Sequence, residues 1–143
     1  MRKISIFVMI ILILFISGCD KKKTLICTKS EDTTGMTITT TSTTKFVNDS
    51  ISNIEMNMTL KLDNSYVKYA NTIKNSLEQQ YKSYKNEKGV SYNTTVKNDV
   101  INFVLLIDNK KISSDTRSKL KLSGSESYDA NKKILEKDGY TCK

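Results

Sequence analysis

Residues 54–62 read IEMNMTLKL, with Ile54, Met56, Met58, Leu60 and Leu62 apolar and a polar side chain at every position between. Unbroken period-two alternation predicts a β-strand with one face buried. Upstream, residues 36–47 read MTITTTSTTKFV, β-branched and alternating. This predicts a second strand, either at a sheet edge or with one face wet. Thr33-Thr34-Gly35 and Asn48-Asp49-Ser50 are turn signals on either side, so the two strands are expected to form a hairpin. Residues 25–29, around Cys27, predict a short further strand. At Asp63-Asn64-Ser65 the period changes. Tyr66, Tyr69, Ala70, Ile73, Leu77, Tyr81 and Tyr84 fall within an arc of about 120° at helical spacing, the width of a core-facing stripe. They predict a helix over 65–88, ended by Gly89, with its tyrosines in the core rather than on a stacking surface. Residues 90–96 alternate again. Residues 100–107, VINFVLLI, are apolar on both faces and predict the central strand. Ser113-Ser114-Asp115 predicts a short helix reaching about 120, and residues 125–137 another, closed by Gly139.

These elements give an α+β class: an antiparallel sheet of about four to five strands, one long helix packed on a face, and two short C-terminal helices. They occupy 25–143 as a single domain.

The first 18 residues are of another kind. Arg2 and Lys3 precede ISIFVMIILILFI at 4–16, in which only Ser5 is polar. A basic start, an apolar run and small residues before a cleavage point describe an export signal, and the run is shorter than the roughly 20 residues a membrane span needs. Ile16-Ser17-Gly18-Cys19 resembles the bacterial lipobox. That resemblance implies a thioether-linked diacylglycerol on Cys19 and cleavage after Gly18, leaving 1–18 as a removed signal peptide. Two acyl chains hold a protein stably on a membrane where one does not. Lys21, Lys22 and Lys23 follow within a tether at 19–24 and are candidates for contact with anionic headgroups. The expected location is the extracytoplasmic face of a bacterial cell membrane, with the phospholipid bilayer as partner.

Composition narrows the chemistry. The 143 residues carry 23 Lys and Arg against 15 Asp and Glu, with no His, Pro or Trp. Loss of Arg2 and Lys3 with the signal leaves 21 basic residues and a net charge of +6. In an exported domain such a charge points to anionic lipid, wall polymer or an envelope protein rather than to nucleic acid. Without His, a zinc site and a Cys or Ser nucleophile with its usual base are not expected, and neither is a cofactor. The five Gly form no phosphate-cradling pattern. With Cys19 lipidated, Cys27 and Cys142 remain as an even pair, expected to form a disulfide tying the two ends of the domain together.

The Gly35-led hairpin, the Tyr81-Lys82 helix end running into Gly89-Val90, the strand around Ile107-Asp108 and the terminal Gly139-Tyr140 resemble the YehR-like group of small bacterial lipoproteins, over nearly the whole mature chain. The group brings no established activity and no catalytic residues to transfer. The expected function is a non-catalytic accessory or ligand-binding domain at the cell envelope. The alternatives are a carboxylate-based envelope hydrolase and a purely structural surface domain.

Overall fold

The computed structural model describes residues 20–120, 122 and 127–143. Its centre is a six-stranded sheet: β1 (Lys22–Thr33), β2 (Met36–Val47), β3 (Ser50–Leu62), β4 (Val90–Lys97), β5 (Val100–Asp108) and β6 (Thr141–Cys142). The spatial order is β4-β5-β3-β2-β1-β6, every neighbour antiparallel. β5 lies between β3 and β4, which therefore run parallel and are joined by a helical crossover. That crossover is a 3₁₀ turn (Val67–Tyr69), helix α1 (Ala70–Tyr81) and a second 3₁₀ turn (Lys82–Tyr84). Helices α2 (Ser114–Lys119) and α3 (Tyr128–Lys137) follow β5. Each is capped by a serine, Ser113 or Ser127, that accepts the backbone N–H three residues on.

The class is α+β with an antiparallel sheet, but with six strands instead of four to five. The added strand is the C-terminal pair Thr141–Cys142, too short for any periodicity to register. β1 runs twelve residues because its whole length is laddered to β2, and it takes in Lys22 and Lys23, assigned above to a tether. β2 is flanked on both sides and is no edge; Thr37, Thr39, Thr41 and Thr43 lie on its less covered face, while Thr40 and Thr44 are buried. β5 is interior to the sheet but covered on one face only: Ile101, Phe103, Leu105 and Ile107 are buried, while Leu106 is 43% exposed.

The long helix stops at Tyr84, short of 88. Three residues per turn in the closing 3₁₀ segment bring positions i and i+3 into line, setting Tyr84 against Tyr81 at 6.4 Å. Tyr81 packs in turn on Phe103 at 4.8 Å and Tyr92 at 6.0 Å. The tyrosine stripe is thus core packing, except that Tyr69 is half-exposed beneath Lys68. α1 covers β4 and β5; α3 covers β1 and β6 on the same face. Under α3, Leu25, Cys27, Phe46 and Ile51 form a second core with Tyr128, Leu135 and Tyr140.

Cys27 and Cys142 sit opposite each other with Cα atoms 4.0 Å apart and are disulfide-bonded. Ile26 and Lys143 beside them exchange both backbone hydrogen bonds, which leaves the cysteines as the close, non-hydrogen-bonded pair. The bridge closes a loop of 115 residues. Reduction, or the double substitution Cys27→Ala/Cys142→Ala, is expected to lower stability by up to about 4–5 kcal/mol. Thermal unfolding with and without reductant checks this, and an unchanged midpoint would mean the bond is absent. Thr94, buried on β4 opposite Phe103, has a hydroxyl with no hydrogen-bond partner among the described residues. Thr94→Val removes that unsatisfied group at constant shape and is expected to stabilise the fold by about 1 kcal/mol in denaturant titration.

Candidate functional site

One inserted residue interrupts the regular alternation at the end of the β2–β3 pair. Lys45 pairs with Asn53 while Phe46 pairs with Ile51, so Ser52 is an extra residue bulging from β3. The bulge lets Ile51 and Ile54 both face the core; Lys45, between the buried Thr44 and Phe46, and its partner Asn53 face outward by ordinary alternation. A polar knot holds it. The Ser52 hydroxyl donates to the Lys45 carbonyl at 3.0 Å. Asn109, at the exit of β5, donates its side-chain N–H to the Ile51 carbonyl and its backbone N–H to that of Ser52. Arg117 on α2 grips Asn109 through both its Oδ1, at 3.1 Å, and its carbonyl, at 2.6 Å.

Around this bulge two adjoining concavities open on the polar face. One, of about 450 Å³, is lined by residues including Thr43, Lys45, Asn53, Glu55, Ser91, Asp108 and Lys111. The other, of about 490 Å³, includes Asp20, Lys22, Lys23, Thr24, Lys45, Asn53, Asp108 and Lys110. Both lie where β1 and β4 begin and β2 and β5 end. Gly89 forms part of the wall at φ +84°. A Cβ there would stand 2.9 Å from the Asp108 carbonyl, so only glycine lets the start of β4 approach this closely.

The charges are unequal. Asp108 is ion-paired with Lys111 at 2.9 Å and accepts the Lys110 backbone N–H; these hold its carboxyl below the usual range, the Lys111 bond being the larger cause. Lys23 pairs with Asp49 at 3.9 Å and lies over the Tyr128 ring at 5.3 Å. Lys22, Lys45 and Lys110 form no ion pair among the described residues.

The β2–β3 turn pins the chain entering this site. Asn48 and Asp49 both have positive φ, 52° and 61°, the geometry of a two-residue hairpin turn that matches strand twist. The Asn48 side chain accepts the Lys21 backbone N–H at 3.1 Å and donates to Asp20 Oδ1 at 2.9 Å, and its backbone N–H donates to the Lys21 carbonyl. Asp20 and Lys21 are therefore held against the domain.

Of the residues singled out by sequence, Ile16, Ser17, Gly18 and Cys19 lie outside the described residues. Lys22 and Lys23 reach the site through β1, and Lys21 is fixed beside it. Cys27 and Cys142 are brought together elsewhere, under α3. Lys45, Lys110 and Lys111 were not singled out. Lys45 is the sole charge in residues 36–47, and Lys110-Lys111 follows directly on β5, but they meet only because strand pairing sets Lys45 opposite Asn53 and Asn53 opposite Asp108. Among the described residues no helix is long and apolar enough to cross a membrane, and no three Cys, Asp or Glu cluster as metal ligands.

No protein-family model and no curated protein matches the chain. Two solved structures share the fold. One is an NMR structure of a protein from Streptococcus pneumoniae TIGR4, with a TM-score of 0.57 and 12% identity over 89% of this chain and 88% of that one. The other is an NMR structure of the E. coli YehR protein, with a TM-score of 0.55 and 17% identity over 86% of this chain and 91% of that one. The likeness supports a YehR-like fold group.

Asp108 gives the site a pH signature. Its folded-state pKa is depressed, so its contribution to stability is present above the ordinary carboxylate value of about 3.9 and is lost as pH falls through the lower folded value. NMR titration is expected to find the Asp108 midpoint below that of an exposed aspartate. Lys111→Ala is expected to return it toward the ordinary value.

Proposed function

We propose that this chain is a lipid-anchored extracytoplasmic domain of a bacterial cell envelope, attached at Cys19 and acting as a non-catalytic accessory or binding module for an anionic envelope component. The observation that carries the reading is the ordered signal at 1–19: basic start, apolar run, then Ile16-Ser17-Gly18-Cys19. Two features support it. Asp20, the residue after Cys19, lines a concavity that also carries Lys22, Lys45 and Lys110. The Cys27–Cys142 disulfide suits an oxidising compartment outside the cytoplasm.

A carboxylate-based hydrolase has one observation in its favour, since Glu55 and Asp108 line the same concavity. Such chemistry needs one carboxyl raised to act as an acid. Asp108 is shifted the opposite way by Lys111. Glu55 accepts a hydrogen bond from Asn57 at 2.8 Å. The ion-paired carboxylate beside unpaired lysines suits anion binding better than acid catalysis.

Intact-mass analysis of the membrane fraction tests the anchor. The mature protein is expected to begin at Cys19 and carry a diacylglycerol thioether there, and Cys19→Ala is expected to leave unprocessed precursor or release the domain. A mature N-terminus elsewhere overturns the reading.

A further inference from the structure

We propose that the concavity lined by Lys22, Lys45 and Lys110 is a docking site for the phosphate groups of anionic phospholipids, which seats the domain on the bilayer in one fixed orientation. The inference rests on the reading of Cys19 as the lipid-bearing residue and adds to it a second, non-covalent contact with the same membrane.

Three observations lead there. The first is distance. Consecutive Cα atoms are about 3.8 Å apart, so Cys19 stands one residue from Asp20, which lines the concavity. Asn48 ties both Asp20 and Lys21 to the domain, which leaves no slack between the anchor and the folded body. The bilayer surface is then at the rim of this cavity.

The second is unspent charge. The nearby carboxylates are already engaged, Asp108 by Lys111 and Asp49 by Lys23, and Asp20 accepts from Asn48. Lys22, Lys45 and Lys110 are left as exposed ammonium groups around about 490 Å³ of open space. That is room for a phosphodiester headgroup. Lysine binds phosphate as a point charge without demanding a fixed fork geometry, which suits headgroups of varied orientation.

The third is asymmetry along the strands. At the opposite end of the sheet lie Glu31, Asp32, Asp63 and Asp99, and there Lys29 is paired with Glu31 and Lys61 with Asp99. With Lys29, Lys61 and Lys97 beside those four carboxylates the far end is close to neutral, so the basic excess lies at the anchored end, and a negative surface orients such a molecule.

The test uses the lipidated protein purified from membranes and reconstituted on vesicles of phosphatidylcholine with or without phosphatidylglycerol. Lysine acetylation is read by mass spectrometry. On the anionic vesicles Lys22, Lys45 and Lys110 are expected to react about three- to fivefold more slowly than on phosphatidylcholine alone. Lys61 and Lys97, at the far end, are expected to react equally on both. The exposed double substitution Lys45→Gln/Lys110→Gln is expected to abolish the protection of Lys22 while the protein stays vesicle-bound and its unfolding midpoint is unchanged. Equal reactivity on the two vesicles, with the protein still bound, overturns the docking site and leaves the anchor standing. Protein that does not associate with either vesicle overturns the anchor itself. Protection reproduced by inorganic phosphate in the absence of anionic lipid assigns the lysines to a free anion and overturns the membrane contact.

Discussion

The single residue inserted at Ser52 sets which side chains at the start of β3 face the core. Side chains alternate with period two, so one extra residue exchanges the faces on either side of it. Because β3 bulges there, Ile51 can join Leu25, Cys27 and Phe46 beneath α3, while Ile54 joins the core that continues toward α1. Lys45 and Asn53, the last pair before the bulge, keep the ordinary alternation, face the polar side and line both concavities. A bulge is stable only if its freed backbone groups are satisfied. Asn109 does this by occupying the Ile51 and Ser52 carbonyls, and Arg117 holds Asn109 in turn. The core boundary, the exit of β5 and the shape of the site are therefore one mechanical unit.

The two helices divide the work of covering the sheet. α1 buries an aromatic stack, Tyr81 on Phe103, over the β4–β5 side. α3 covers the β1–β6 side with less apolar surface: Ile134 is 46% exposed and no residue of the helix is fully buried. A two-residue edge strand and a lightly buried helix make a weak terminus by themselves. The disulfide compensates by removing loop entropy from the unfolded chain, which needs no additional buried area. β6 also blunts one sheet edge with a very short strand followed by a charged residue, Lys143, which discourages pairing with a second copy.

What could be read from the sequence was what local periodicity encodes. The alternation of Ile54 to Leu62 and the helical arc of Tyr66 to Tyr84 each report one buried face, and both elements are present. The turns at Gly35 and Asn48-Asp49 were legible because αL geometry selects Gly, Asn and Asp. Three things were hidden because they arise only on pairing. Lys22, Lys23 and residues 30–33 are polar, and they become strand because β2 offers a continuous ladder. β6 is two residues long and exists because the disulfide and the Ile26–Lys143 hydrogen bonds place it against β1. The lysine cluster draws on β1, β2 and the loop after β5, so no window of sequence contains it.

The strength required of such a cluster is small once the chain is anchored. On the proposed reading, a lipid on Cys19 would make every later contact with the bilayer intramolecular, so the site would not have to capture lipid from solution and would only have to bias orientation. Near an anionic surface each lysine contributes about 1 kcal/mol, falling off over a Debye length of about 8 Å at physiological salt. Three unpaired lysines at the rim would then favour the proposed docked orientation by about 3 kcal/mol, roughly a hundredfold, with no deep pocket and no charge buried at a desolvation cost. Burying the ammonium groups would add little energy and would cost hydration that exposed lysines keep. On the proposed reading, a shallow, wet and only locally basic concavity is the form such a surface takes when the covalent anchor supplies the affinity and the side chains supply only direction.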